Sequence, residues 1–529
     1  MALNIADLIE HAIDVVPERT ALIDERRSLG YAELEAEANR LAHWFAAQDI
    51  ETGDHVGILC ANSVDHVVAL VALLKIRAVP INLNYRYTAG ELEYVVRDAE
   101  LVGIVFEERL GSLVEEVVTD RVAVRLRLPN ALPDDAPSKP VGTSLAEALE
   151  GQSAERDFGE RSPDDHYIIF TGGTTGYPKG VVWRHEDIWR TLGGGIDYRT
   201  HEYQDEYAQS KKAAAGGMVA FPLSPMMHGA GVWSTMSHLF VGDTTVLRAR
   251  FDPDQTWRAV AEHGVQGLFV TGDAMARPLI EVYEAGDYDA SSLVAVASSA
   301  AMFSHAVKQR WMAAFPKAFF SDAFGSTESG LLASGAQTPE GAGGPTGRLG
   351  PETVIFDESL NLIDPDTSVG EIGIMGRRCH VPLGYWKDPA KSAGTFFERD
   401  GERYVVAGDY VRIEADRHLT LLGRGSGTIN TGGEKVFPEE VEGALKAHPA
   451  IWDALVVGMP DERWGERVSA LVQARDGETP ELTEVQDFLR SRVADFKLPR
   501  MMLVVDKLPR HETGKANYPQ ARKLLAAAE

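Results

Sequence analysis

A short apolar run, Ile168-Ile169-Phe170, leads directly into Thr171-Gly172-Gly173-Thr174-Thr175-Gly176-Tyr177-Pro178-Lys179-Gly180. Gly172, Gly173 and Gly176 let backbone N–H groups approach an anion closely. The hydroxyls of Thr171, Thr174 and Thr175 add donors, and Lys179 adds a compact positive charge. Such a loop suits a polyphosphate. It is not a Walker loop, because Lys179 stands between Pro178 and Gly180 instead of between glycine and Ser or Thr at the start of a helix.

Further segments carry groups that could act on the same ligand. Phe221-Pro222-Leu223-Ser224-Pro225-Met226-Met227-His228-Gly229-Ala230-Gly231 places one imidazole among small residues, and Ser298-Ser299-Ala300-Ala301 is a run of small residues. Asp322-Ala323-Phe324-Gly325-Ser326-Thr327-Glu328 combines an aromatic ring, a hydroxyl and a carboxylate, the last suited to a hard cation such as Mg²⁺. Tyr404-Val405-Val406-Ala407-Gly408-Asp409 offers a two-oxygen acceptor for neighbouring hydroxyls, followed by Gly423-Arg424. Asn430-Thr431-Gly432-Gly433-Glu434-Lys435 and Leu508-Pro509-Arg510-His511-Glu512-Thr513-Gly514-Lys515 bring two more lysines.

In this order the motifs resemble those of the adenylate-forming superfamily, and most closely its acyl-CoA synthetases, over nearly the whole chain from Asn82 to Lys515. The resemblance implies that ATP, Mg²⁺ and CoA serve two half-reactions in one site. A carboxylate attacks the α-phosphate of ATP to give acyl-adenylate and pyrophosphate, and CoA then attacks the mixed anhydride. It further implies that Thr171 to Gly176 and Lys179 hold the leaving phosphates, and that Ser299, Ala300, Asp322, Phe324 and Gly325 line the adenine. Thr327 would contact the α-phosphate, Glu328 and Thr174 would hold Mg²⁺, Asp409 the ribose, and Arg424 would assist the nucleotide. His228 would lie beside the acyl pocket, Lys515 would bridge the reacting atoms, and Gly432, Gly433 and Lys435 would meet CoA. Departures from the family pattern are Phe324 for tyrosine, Ala407 for threonine, Asn430 for a common lysine, and Ser426-Gly427 where the hinge is usually Asp or Lys.

Elements that could position these groups are legible in the pattern. His55–Leu59, Val64–Ile76, Val79–Leu83, Ala89–Ala99 and Val102–Phe106 alternate strand and helix character, as do the strand-like runs Val265–Val270, Leu293–Ser298 and Ala318–Phe320, so parallel sheets with helices on their faces are expected. Thr191 to Gly217 reads as a mobile loop. From Gly423 to Gly433 five of eleven residues are glycine, and Pro438-Glu439-Glu440 then suits the first turn of a helix reaching about His448. The expected fold is α/β. A large N-terminal domain of βα-layered sheets, residues 1–425, precedes a small mobile α+β domain, residues 426–529, with the hinge near Ser426-Gly427.

At 529 residues, 44% hydrophobic and 25% charged, the chain is globular and long enough for more than one core. Its 52 Lys and Arg against 79 Asp and Glu give a net charge of −27, which disfavours a nucleic-acid binder. Cys60 and Cys379, far apart and without ligand spacing, point to a reducing compartment. No basic segment leads into a hydrophobic one near Met1, and the run Val67–Leu74 is too short to span a bilayer, so a cytoplasmic location is expected. Expected partners are a small carboxylic acid, ATP and CoA, with a homodimer allowed by the resemblance. The segment Gly272–Leu279, which replaces a more usual Pro-rich segment near the acyl pocket, and Ile429–Val436 resemble those of bacterial long-chain and steroid-side-chain acyl-CoA synthetases, and the small residues Gly229, Ala230, Gly231, Ser298 and Ala300 would leave room for a bulky apolar acid. Delivery to a carrier protein and a non-catalytic nucleotide-binding role are the rival readings.

Overall fold

The computed structural model describes residues 3–119, 121–171, 178–198, 200–338, 346–431, 434–461, 464–511 and 515–528. Among them the strands assemble into three sheets of eight, fifteen and five strands.

The eight-stranded sheet is built around parallel strands His55–Leu59, Val79–Asn82, Gly103–Glu107 and Val124–Leu128. The connecting helix Val64–Lys75 is buried along its whole length. The Ser63 hydroxyl starts it by accepting from His66 N at 3.1 Å, and Lys75 ends it by pairing with Glu10 and Glu35 at 2.5 and 2.9 Å, so the one cation in an apolar helix is compensated. Ala89–Asp98 follows with a capping box between Thr88 and Glu91. Strand His166–Thr171 lies parallel to Val79–Asn82, and Lys179–Arg184 returns antiparallel to it, with Thr171 opposite Lys179. The strands that flank the Gly/Thr run are therefore adjacent and antiparallel. A Walker loop would open a helix instead.

The large sheet contains a parallel run through Thr244–Val246, Val219–Pro222, Gly267–Val270, Ala295–Ser298 and Phe319–Ser326, and continues antiparallel through Gly330–Ala336, Thr346–Leu349 and His418–Arg424. The first strand of the expected Val265–Val270 run starts only at Gly267 because Gly264, at φ 61°, caps the helix Pro253–His263 and Val265 N still bonds back to Val260 O. Behind this sheet, Trp257, Trp311 and Phe315 pack with ring centroids 5.5 to 5.7 Å apart. Truncating Trp311, which is fully buried, would cost about 3–5 kcal/mol.

His418–Arg424 is the last strand of the large sheet, and Ile429–Thr431 opens the five-stranded one, whose core hairpin is Ile451–Asp461 with Gly465–Ala474. The helix Pro438–Lys446 ends before the expected His448. Thr191 to Gly217 is more ordered than a plain loop. It contains the helix Ala208–Ala214 and a bridge between Ile196 and Tyr203, tied down by Arg190 bonding to Gly195 O and Gln204 O at 2.8 and 2.7 Å. Mixed polar residues hid this because their partners are backbone carbonyls, which leave no periodic trace. No described helix is long and apolar enough to cross a membrane.

Candidate active site

The hairpin that carries the Gly/Thr loop is clamped from one side by Asn82. Its amide accepts from Phe170 N at 3.0 Å, donates to Phe170 O at 3.2 Å and donates also to Met227 O. One side chain thus ties the strand feeding the loop to the segment that ends at His228. Gly172 to Gly176, Thr174 among them, lie outside the described residues. At the loop's far end Lys179 forms an ion pair with Asp388, the residue that also caps the helix Pro389–Thr395 by accepting from Lys391 N at 2.9 Å. Any phosphate reaching Lys179 competes with this carboxylate.

His228 precedes the helix Gly229–Phe240, and a side chain at Gly229 would stand 3.6 Å from Ile169 and 3.8 Å from the Thr327 hydroxyl. The phosphate strand, the His228 segment and the Thr327-Glu328 element therefore meet. The buried Nε2 of His228 has no hydrogen-bond partner. Burial, with the nearby charges of Lys515 and Arg86, holds the imidazole down to about 4, so it is neutral at physiological pH. It can pack against or gate an apolar ligand but brings no charge to a phosphate.

Asp322 and Phe324 sit on the strand Phe319–Ser326. The buried Asp322 pairs with Lys308 at 2.5 Å, which leaves Oδ1 without a partner, and Phe324 packs in an apolar cluster with Leu332, Ala333 and Leu349. Most of the Phe324 ring is thus spent on the core. Gly325 must be glycine, since a Cβ there would strike the Gly330 carbonyl. At the end of the neighbouring strand, Ser299 N bonds to Val270 O at 3.2 Å, and Ala300 takes φ 65°, a left-handed conformation that a non-glycine residue adopts at a cost.

A cluster of charges completes the site. Glu328 accepts a hydrogen bond from the Tyr385 hydroxyl at 3.0 Å. Burial and Glu328 push the Tyr385 phenol up, so it stays a donor. Asp409 Oδ1 accepts from Arg424 Nε at 3.0 Å, whereas the buried Asp409 Oδ2 has no partner. Asp409 foremost, and Glu328 after it, raise the pKa of the Arg424 guanidinium. Lys515 reaches this group from the small domain. Part of its side chain is open to solvent, but the packing around it and the charge of Arg424 lower its pKa, against the opposing pull of Glu328 and Asp409. Four charged groups from separate segments converge here, although Arg424 and Asp409 are 15 residues apart and Lys515 is distant from both.

Mg²⁺ fits this donor set. No group of three metal-ligating side chains occurs among the described residues, and a single carboxylate shared with ligand phosphates is how Mg²⁺ is commonly held. Gly432 and Gly433 lie outside the described residues. Lys435 pairs with Glu358 of the large domain and lies 5.4 Å over the Tyr410 ring. Tyr385 and Asp388 are two site residues that residue types alone did not single out. Their signal is position, in the Gly384-Tyr385-Trp386 segment and just after it.

The chain is similar to known proteins over nearly its whole length. Residues 9–386 match the model of the AMP-binding enzyme family, and residues 440–515 match that of the AMP-binding enzyme C-terminal domain. The chain is 46% identical to a 3-oxocholest-4-en-26-oate–CoA ligase of Rhodococcus rhodochrous, over 99% of this chain and 96% of that one. It is 45% identical to a medium/long-chain-fatty-acid–CoA/3-oxocholest-4-en-26-oate–CoA ligase of Mycobacterium tuberculosis, over 100% and 97%. Its fold superposes with a TM-score of 0.85 on the anthranilate CoA ligase AuaEII in complex with anthranoyl-AMP, at 21% identity and over 99% and 98% of the two chains. The chain therefore belongs to the AMP-binding enzyme family, the adenylate-forming ligases.

Proposed function

We propose that this ligase, which uses ATP, Mg²⁺ and CoA, activates a bulky apolar carboxylic acid, a medium- or long-chain fatty acid or a steroid side-chain acid. The observation that carries the reading of the site is the convergence of Glu328, Asp409, Arg424 and Lys515, with one buried Asp409 oxygen left unpartnered. Asp409 Oδ2 accepts from ribose hydroxyls while Oδ1 stays on Arg424. Thr171, Lys179 and the loop between them receive the β- and γ-phosphates, with Asp388 giving up Lys179. Ser299, Ala300, Asp322 and Gly325 bound the adenine.

In the first half-reaction an oxygen of the substrate carboxylate attacks the α-phosphorus and the bond to the β-phosphate bridging oxygen breaks, yielding acyl-adenylate and pyrophosphate. Lys515 neutralises charge on the attacking carboxylate and on the α-phosphate as it builds in the transition state, and Thr327 donates to the same phosphate. Glu328 and Thr174 would hold Mg²⁺, which when bound supplies positive charge to the phosphates. Neutral His228 borders the acyl group. In the second half-reaction the CoA thiolate attacks the acyl carbon and AMP leaves. Gly432, Gly433 and Lys435 are the proposed CoA contacts, reached when the domain beginning at Ser426 turns about Ser426-Gly427.

Support for the acyl class comes from the named substrates of the relatives. A cytoplasmic location agrees with the use of ATP and CoA and with two unpaired cysteines. A homodimer stays part of the proposal, and a sedimentation mass near 57.7 kDa, that of one chain, would remove it. The test of the function is ATP–pyrophosphate exchange across short, aryl, long-chain and steroid acids, followed by AMP release with and without CoA. Exchange confined to short or aryl acids would overturn the substrate class, and AMP release that requires a carrier protein instead of CoA would overturn the acceptor.

A further inference from the structure

The helix Pro438–Lys446 presents Glu439, Gly443 and Lys446 on one face, at spacings of four and three. That face lies on the large domain. Glu439 fills the space beside Gly423, and a side chain at Gly443 would be 3.7 Å from Met302 Sδ, just beyond the Ser299–Ala301 turn. Lys446, 3% exposed, places Nζ 3.6 Å from Asp273 of the large domain and 3.4 Å from Asp453 of its own domain.

Both contacts extend further. Asp273 Oδ2 is 3.5 Å from Arg277, whose guanidinium lies 5.2 Å over the Trp452 ring of the small domain. Asp453 takes two bonds from Arg510, at 2.8 and 2.9 Å. Arg510 is in turn tied to the Lys515 segment, where His511 N bonds to Lys515 O at 2.8 Å and Arg510 bridges to Ala516. Charges therefore alternate from Arg277 through Asp273, Lys446 and Asp453 to Arg510. A cleft of about 370 Å³ opens beside them, so apolar packing does not close this part of the interface. The helix Gly272–Ala285 that carries Asp273 and Arg277 is thus committed to the interface and the core, with Met275, Ala276 and Leu279 buried inward.

We propose that Asp273 and Lys446 are positioning residues for adenylate formation: their pairing across the domain boundary, relayed through Asp453 and Arg510, sets the Lys515 segment in the site. The proposal rests on the reading of Lys515 as the lysine of the first half-reaction. Acyl transfer from a ready-made acyl-adenylate to CoA does not need Lys515 in place, so it does not need the relay.

Asp273→Asn keeps the side-chain oxygen that accepts from Ser304 N at 2.8 Å and removes the charge facing Lys446. The expected result is at least a tenfold drop in the kcat of ATP–pyrophosphate exchange, with CoA acylation from supplied acyl-adenylate unchanged within about twofold. Lys446→Met, which removes the other partner, is expected to give the same split and serves if Asp273→Asn does not fold. Equal losses in both half-reactions, or no loss in either, would overturn the proposal. Lys515→Ala tests the underlying reading separately: if it leaves exchange intact, that reading fails, whereas a split for Lys515→Ala without one for the relay variants fails the relay alone.

Discussion

The two lysines proposed to meet phosphate are held in different ways. Lys179 belongs to a hairpin of one sheet, opposite Thr171, and its charge is met by Asp388 of the same domain at a half-exposed site. Lys515 comes from the small domain, and its neighbours Arg424, Glu328 and Asp409 all precede the break between the large and the five-stranded sheets. The first is preorganised by the fold, and the second is assembled when the domains meet. A hairpin lysine can bind nucleotide in any domain arrangement, whereas an assembled one can be supplied to one half-reaction and withheld from the other.

The large-domain half of the assembled site should be the most sensitive to change. Asp409→Asn removes a buried acceptor and the charge facing Arg424, a loss of about 1–3 kcal/mol, so KM for ATP should rise roughly tenfold or more. An unchanged KM would remove Asp409 from the nucleotide site. Gly427→Pro stiffens the segment between the sheets. Thioester formation should fall about fivefold while pyrophosphate exchange changes less, and equal loss of both would break the contrast between the regions.

On the hairpin side the effect is smaller and opposite in sign. Asp388→Asn frees Lys179 from a half-exposed ion pair worth up to about 1 kcal/mol, so KM for ATP should drop by roughly two- to fivefold. A rise would mean that Asp388 itself holds the nucleotide. The two regions also separate by pH. Because the packing around it and Arg424 lower the Lys515 pKa from 10.5, its ammonium is complete below the lowered value and is lost as pH rises through it. Pyrophosphate exchange should therefore fall on the alkaline side before an ordinary lysine would titrate, and Lys515→Arg should move that limb to higher pH. His228, held at about 4, should give no inflection near 6.5. For stability the sign is the reverse of a salt-bridged histidine: the unfolded imidazole binds more protons between about 4 and 6.5, so stability from this group rises with pH across that window.

Sequence made the hairpin region legible because its information is local. Ile168-Ile169-Phe170 reads as a strand, the Gly/Thr run as an anion loop, and the alternation from His55 to Phe106 as parallel βα layers, each from neighbours within a few residues. The residues that complete the site are set by distant pairs. Asp388 meets Lys179 across 209 residues and Tyr385 meets Glu328 across 57, and no periodicity or spacing links such partners. The same limit applies to Gly272–Leu279. Its small and apolar residues are legible as a face, while the contacts of Asp273 with Lys446 and of Arg277 with Trp452 come from a second domain.

The contrast between a preorganised and an assembled lysine is tested most directly by measuring both half-reactions in Lys515→Ala and in Lys179→Ala. Losing a positioned cation in the transition state costs roughly 10²–10³ in rate. Lys515→Ala should lose pyrophosphate exchange by about that factor and still acylate CoA from supplied acyl-adenylate at close to the parent rate, while Lys179→Ala should show its loss mainly in KM for ATP. Equal loss of both half-reactions in Lys515→Ala would contradict the account.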